Sequence, residues 1–383
     1  MLHFMSVPID GDCKPGFARV RAEFARNFSE RDERGGAVAI WHRGEPVVDL
    51  WGGWSDVGRG VPWQRDTLVN VFSVSKALCA IACMRLVDEG RLDLDARVAR
   101  HWPQFEQGGK SQTTVRQLLS HQAGLPAIRK PLPDGAALDW HTIVEALAEQ
   151  TPWWTPGTAH GYHVNTYGFL AGELVRRIDG RSIGTLLRED VAGPLGADIH
   201  IGLAASEHHR VSDFQWPGNP IKPELDGDQA LMRWNTYWNP PGFSGSHWIN
   251  HPRWREAEVP STNGHGHARS VARIYSALVQ GGEIDGVRIL SRDAIAVATS
   301  EQVNGYDRIT DRPSRFGIGF QLTQPERPLG PNPGAFGHFG AGGSLGYCDP
   351  QAGIAFGYVT NEMGPRWQNP RNRALLAALY DSL

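Results

Sequence analysis

Lysine is scarce in this chain: five lysines stand against thirty-three arginines in 383 residues, so each lysine can be weighed individually. Cysteine is scarcer still, with Cys13, Cys79, Cys83 and Cys348. Cys79 and Cys83 lie four apart in an expected helix, where they read as buried free thiols. No spacing fits a disulfide frame or a zinc site. No apolar run reaches the length of a membrane span. The stretch Met1 to Pro8 lacks a basic start followed by an apolar run, so no signal peptide is expected and the chain reads as cytoplasmic. A net charge of −3 gives no electrostatic ground for nucleic acid or a membrane surface as partner. Internal repeats and low-complexity tracts are also missing. What remains is an ordinary globular composition, long enough to bury a large core in one to three domains.

Tryptophan, by contrast, is plentiful: fourteen in all, with Trp153, Trp154, Trp216, Trp234, Trp238, Trp248 and Trp254 crowded into the middle of the chain. They serve either core packing or an aromatic-walled cleft. Trp153, Trp234 and Trp238 are the expected cleft residues.

Apolar periodicity divides the chain into elements. Residues 16–30 read as an amphipathic helix with Phe17, Val20, Phe24 and Phe28 on one side. Residues 36–42 and 46–53 read as a β-hairpin turning at Arg43-Gly44-Glu45. A helix is expected from Ser73 to about Gly90, and others over 114–126, 141–150, 166–178 and 266–281. Residues 205–262, rich in Trp, Pro, Gly and Asn, read as long ordered loops, a possible cleft wall. Strands are expected at 316–322, 335–340, 344–349 and 354–360, then a terminal helix at 370–382. Strands at both ends with helices between give an α/β domain of residues 1–75 and 306–383. A mainly helical domain of residues 76–305 is inserted, and the cleft falls between the two.

The chemistry centres on Val69-Asn70-Val71-Phe72-Ser73-Val74-Ser75-Lys76. A β-branched run becomes a helix there, so Ser73 and Lys76 project from one face of the first turn. A serine hydroxyl is a weak nucleophile until a base takes its proton. A lysine three residues on serves once burial lowers its pKa to roughly 7–8. The helix N-terminus favours the developing alkoxide. Only Lys76 of the five lysines has a serine three residues before it, although a capping role for Ser73 would leave the same pattern.

Two further stretches complete a site. Tyr162 follows the turn signal Pro156-Gly157 and precedes a helix, which places it on a loop as a candidate proton-relay group. An ordinary packed tyrosine is the competing reading. Phe336 to Gly346 reads as a glycine-flanked edge strand that lets a carbonyl approach the backbone. There Ala341 N–H, with that of Ser73, would form an oxyanion hole worth about 2.7–4 kcal/mol per donor. His338, Gly340 and Gly342 would line the cleft.

Ser73-Val74-Ser75-Lys76, Tyr162-His163-Val164 and His338-Phe339-Gly340 follow the motif order of class C β-lactamases and their relatives. Leu118 to Leu125 resembles the family's Leu-Leu-Ser-His-x-x-Gly-Leu element, and Pro194 to Asp198 its Pro-Leu-Gly-x-Asp turn. The chain most resembles the family VIII carboxylesterases. That resemblance implies a β-lactamase-like α/β fold, an antiparallel sheet flanked by helices with the inserted helical domain. It also implies an acyl-enzyme on Ser73, a small-molecule ester substrate and no cofactor. Two departures stand out. Val164 replaces the asparagine of Tyr-x-Asn, with Asn165 one residue late and expected to turn elsewhere. His338 replaces the lysine of Lys-Thr-Gly. Both point away from substrates bearing an amide and a carboxylate. An acyltransferase, a weak β-lactamase or a D-alanyl peptidase would share the acyl-enzyme.

Three other readings compete. Gly342-Gly343-Ser344-Leu345-Gly346 fits the nucleophile elbow of α/β-hydrolases, but no histidine follows Ser344 to complete that triad order. The histidine groups His208-His209, His160 with His163, and His265 with His267 lack the companion ligands of a zinc site, so no metal is expected. A non-enzymatic binding relative would be expected to lose the serine, lysine or tyrosine, all of which are present. The sequence leaves the oligomeric state open.

Overall fold

Two buried strands, Gly35–His42 and Ile354–Thr360, organise the molecule, because both faces of the sheet they share are covered. The computed structural model describes residues 7–56, 58–218, 221–365 and 367–383. Of the N-terminal stretch Met1 to Pro8, residues 1–6 lie outside them.

In chain order the first part runs β1 (Ile9–Cys13), α1 (Ala18–Glu30), β2 (Gly35–His42), β3 (Glu45–Asp56), β4 (Val61–Pro62) and β5 (Val69–Asn70). The middle holds α2 (Ser75–Asp88), α3 (Val115–Leu119), α4 (Trp140–Glu149), α5 (Thr166–Asp179), α6 (Ile183–Leu187), β6 (Ile199–His200), α7 (Gly227–Trp238), α8 (Pro252–Glu256), β7 (His265–Gly266) and α9 (Ala268–Val279). Then come β8 (Glu283–Ile284), β9 (Val287–Arg288), α10 (Arg292–Thr299), β10 (Val303–Asp307), β11 (Arg312–Phe316), β12 (Gln321–Leu322), β13 (Phe336–Phe339), β14 (Leu345–Asp349), β15 (Ile354–Thr360) and α11 (Pro370–Tyr380).

The large sheet has the order β1-β3-β2-β15-β14-β13-β12-β11-β10, with β4 paired to β3. Its pairings are antiparallel. The N-terminal hairpin therefore docks on the C-terminal meander through β2 and β15. Val38 and Ile40 of β2, with Phe356 and Tyr358 of β15, face α1 and α11. Ala37, Ala39 and Trp41 of β2, with Ala355 and Val359 of β15, join the core on the other face, which continues through α9 into α2 and α5. Near-continuous burial along both strands is the expected signature of a sheet covered on both faces. Close approach of α9 depends on Gly346 and Gly357: a Cβ on Gly346 would lie 2.5 Å from the Tyr275 ring, and one on Gly357 2.2 Å from Ala268 O.

Three expectations change. The alternating run 316–322 is not one strand: β11 ends at Phe316, the chain turns through Gly319 in the left-handed region (φ 71°), and β12 begins at Gln321. Residues 205–262 are not loops throughout. They contain α7 and α8, hidden by the flanking prolines and glycines. The helix expected over 114–126 is only the one-turn α3, fixed by a Thr114/Gln117 capping box. β1, β10 and α10 carry too weak a pattern to be read: β1 and β10 are short, polar and interrupted by Gly11 and Gly305. Among the described residues no helix is long and apolar enough to cross a membrane.

Candidate active site

A small three-stranded sheet, β5-β7-β6, delivers the chain to Ser73. Val71 N–H donates to Gly264 O at 2.8 Å. Phe72 then takes φ 51°, a conformation that costs a non-glycine residue about 1–3 kcal/mol unless its surroundings fix it. They do: Ser75 Oγ donates to Phe72 O at 2.6 Å and accepts Gly264 N–H at 3.1 Å. Ser73 consequently stands in a 3-10 turn, Phe72–Val74, immediately ahead of α2 rather than inside it.

Lys76, in the first turn of α2, is fully buried. Its Nζ lies 3.0 Å from Ser73 Oγ, 2.5 Å from Val164 O and 3.0 Å from Ser261 O. It has no carboxylate partner among the described residues, and burial pushes its pKa well below the usual lysine range. The Val164 side chain does not take the place of an asparagine, but its backbone carbonyl fixes the amine.

Tyr162 is buried beside Ser73, with Lys76 Nζ 4.9 Å from its ring centroid. Burial drives its pKa well above 10, outweighing the lowering by Ser73, so the resting group is a neutral phenol. Its backbone is held by Asp307, whose carboxylate accepts Tyr162 N–H at 3.1 Å to both oxygens, Ile309 and Thr310 N–H at 2.9 Å, and Ser314 Oγ–H at 2.8 Å. The loop is also clasped by the stretch 118–125: His163 N–H donates to His121 Nδ1 at 3.2 Å, and Leu125 N–H to His163 Nε2 at 3.0 Å. Burial takes His163 down to about 4, which keeps its ring neutral and able to accept.

His338 does not face the cleft. It is buried beside Tyr162, rings nearly parallel at 5.8 Å, with Nε2 3.5 Å from the phenol oxygen. Its Nδ1–H donates to Phe339 O at 2.8 Å, and burial, then Lys76, depress its pKa well below 6.5. Gly340 and Gly342 are backbone positions: Gly340 N–H donates to Ser344 O at 2.7 Å, and Gly342 has φ 80°. The start of α11 grips this loop. Asn369 Nδ2 and an Arg371 NH2 donate to Gly342 O at 2.9 and 3.0 Å, and Asn372 Nδ2 to Gly343 O at 2.9 Å. Ser344 Oγ is buried without a hydrogen-bond partner.

A largely apolar cavity of 270 Å³ opens over Ser73. Phe72, Val164, Trp216, Tyr237, Trp238, Thr262, Ala341, Met363 and Trp367 line it. Trp238 is among the residues lining this cavity. Trp234 instead lines a separate cavity, and Trp153 packs under the Arg129 guanidinium at 3.6 Å. Asn165 was expected to turn away, yet it lines the Ser73 cavity. Its carboxamide is occupied, donating to Thr236 O and Ser244 Oγ and accepting from Thr262 Oγ1, all within 2.9 Å. Among the described residues no group of three His, Cys, Asp or Glu could hold a metal ion.

The beta-lactamase family model matches residues 24–380. The chain belongs to the beta-lactamase family. A crystal structure of a family VIII carboxylesterase superposes with a TM-score of 0.91 at 41% identity, covering 98% of this chain and 100% of that one. A penicillin-binding protein homolog from Caulobacter crescentus gives 0.90 at 41%, with the same coverage. The esterase/beta-lactamase LipL of Mycobacterium tuberculosis is 36% identical over 365 residues, 92% of this chain and 83% of its own.

For this member of the beta-lactamase family, sequence reasoning missed Asp307, Arg371 and the two asparagines of α11. Asn369 and Asn372 also form the helix capping box, a pattern legible in Asn369-Pro370-Arg371-Asn372. Asp307 lies in no motif; nothing local marks it. Because it positions the Tyr162 backbone, Asp307→Asn replaces one acceptor oxygen with a donor facing donors. A misplacement of about 1 Å costs on the order of 10²-fold, so kcat on a p-nitrophenyl ester should fall ten- to a hundred-fold, with a smaller change in KM.

Proposed function

We propose that this protein is a serine carboxylesterase that forms an acyl-enzyme on Ser73, with Lys76 and Tyr162 as its proton-relay groups. The observation that carries the reading is the Lys76 amine, buried between two carbonyls and the Ser73 hydroxyl. A neutral amine has two N–H bonds. Directing them at Val164 O and Ser261 O leaves its lone pair for the Ser73 proton. Ser73 Oγ then attacks the ester carbonyl, and the backbone N–H groups of Ser73 and Ala341 receive the oxyanion. Tyr162, a neutral phenol touching Ser73, protonates the leaving alkoxide and is reprotonated from the Lys76 ammonium by way of the site. Water attacks the acyl-enzyme by the reverse sequence and frees the acid.

The family, and the esterase names of its relatives, support a hydrolase acting on small ester substrates. Residues 1–75 with 306–383 would carry one cavity wall and residues 76–305 the other. Four unpaired cysteines are consistent with the proposed cytoplasmic location. Acyl transfer from the same intermediate to an alcohol is the alternative fate.

The substrate preference follows from what faces the cavity. The Asn165 amide is committed to Thr236, Ser244 and Thr262, and neutral His338 lies behind Tyr162. A substrate carboxylate or amide therefore lacks the partners that Tyr-x-Asn and Lys-Thr-Gly would give. Each unmet polar group costs about 1–3 kcal/mol. Two such losses correspond to roughly two to four powers of ten in kcat/KM if they add. p-Nitrophenyl butyrate should accordingly exceed nitrocefin by that factor on one preparation. A nitrocefin value equal to or above the ester's would reassign the chain as a β-lactamase, the second activity in the name of the M. tuberculosis relative.

A further inference from the structure

A second cavity, 480 Å³, lies alongside the first and is also largely apolar. Leu231, Trp234, Asn235 and Trp238 of α7 face it, a spacing of three, four and seven residues that marks one side of the helix. Tyr237, on the adjacent side, faces the Ser73 cavity. Trp238 lines both, and among the described residues no other side chain does. Its ring lies 5.8 Å from that of Trp234. The 270 Å³ over Ser73 is less than the roughly 300–1,000 Å³ of typical ligand sites, whereas the two cavities together fall within that range.

We infer that Trp238 is a partition that sets the acyl-chain limit of the enzyme, and that the cavity behind it is a blocked subsite for a longer aliphatic chain. The inference rests on the esterase reading of Ser73. A short acyl chain fills the first cavity and meets the indole. A chain of eight or more carbons has no apolar volume to enter unless the indole is removed, and an extended apolar tail left in water forfeits its burial. Arg129 does not repel such a tail as a free charge, being stacked on Trp153 and hydrogen-bonded to Thr151 O at 3.1 Å.

The test is kcat/KM on p-nitrophenyl acetate, butyrate, octanoate and decanoate for wild type, Trp238→Ala, Trp238→Leu and Trp238→Ala combined with Leu231→Trp. Wild type should fall off beyond hexanoate. Trp238→Ala should raise the decanoate-to-butyrate ratio at least ten-fold, Trp238→Leu by less. Filling the second cavity from Leu231 should return the ratio to near its wild-type value. A ratio that stays at the wild-type value in both Trp238 variants, with acetate turnover intact, overturns the partition; so does a gain that Leu231→Trp leaves in place. Wild type inactive on acetate overturns the esterase reading, and this inference with it. Should Trp238→Ala not fold, the leucine variant and the wild-type cut-off still decide: a wild type as fast on decanoate as on butyrate refutes the limit.

Discussion

Ser73→Ala should lower kcat on short-chain esters by on the order of 10⁶, the scale found when one member of a cooperating catalytic unit is removed. Ser344→Ala should retain most of its activity. Each serine carries a motif in one dimension, Ser-x-x-Lys for Ser73 and Gly-x-Ser-x-Gly for Ser344, but no histidine follows Ser344 to complete its triad order. In three dimensions they separate. Ser73 lines the cavity, with Lys76 Nζ at 3.0 Å and Tyr162 beside it. Ser344 is fully buried, and among the described residues its hydroxyl has no hydrogen-bond partner. The Ser344→Ala change also removes a buried polar atom that makes no hydrogen bond, so it should not destabilise the fold. Rates on p-nitrophenyl butyrate, with mass spectrometry for a fluorophosphonate adduct, check both statements. An adduct on Ser344, or full turnover by Ser73→Ala, refutes the assignment.

Lys76→Arg should abolish turnover as thoroughly as Lys76→Met, by about 10⁴-fold or more, because arginine keeps its proton at any accessible pH. Arginine adds a buried charge and methionine adds none, while the base is lost in both, so equal damage identifies loss of the base as the cause. The pH dependence follows from the direction of the shift. Burial lowers the Lys76 pKa well below 10.5 in the folded protein, so the amine is neutral over a range where an exposed lysine would be charged. Activity should therefore be high above that lowered value and fall as pH drops through it, when the ammonium forms and Ser73 loses its base. His338 does not produce this acid limb, since burial and Lys76 hold it neutral well below 6.5. His338→Asn should thus leave the acid limb in place. Tyr162→Phe provides the complement. It keeps the ring stacked on Phe316 at 5.8 Å and removes only the hydroxyl. A kcat reduced by about 10²–10⁴ is expected for a lost acid–base group, and unchanged kcat would make Tyr162 a packing residue.

The loop bearing Ala341 shows how supporting residues reach the site from far away in sequence. Arg371 joins Gly342 O to the buried Glu33 carboxylate at the N-terminal edge of β2. Tyr358 and Thr360 of β15 also donate to Glu33. The clamp therefore links α11, β15 and the approach to β2 behind the loop bearing Ala341, and its donors and acceptors satisfy one another inside the protein.

The sequence by itself determined the elements whose periodicity is strong and the chemistry that is local. The helix of residues 18–30, the first hairpin, the Ser73–Lys76 spacing and the placement of Tyr162 on a loop before α5 all depend on neighbours within a few residues, where side-chain direction follows from backbone type. Trp238 was also found, though for composition alone. Other features were decided only by the tertiary structure. That His338 lies behind Tyr162 depends on how β13 pairs with its neighbours. That Asn165 lines the cavity depends on Thr236, Ser244 and Thr262, which are seventy to a hundred residues away. Asp307 holds Tyr162 across 145 residues. Trp234 leaves the Ser73 cavity because α7, unreadable among its flanking prolines and glycines, turns it to one side and leaves Trp238 at the border, while Trp153 packs under Arg129 and donates to Ala127 O. A helix or strand is fixed by short-range sterics and hydrogen bonds. What a buried polar side chain bonds, and which cavity an aromatic ring closes, is fixed by chain segments that meet only when the core forms.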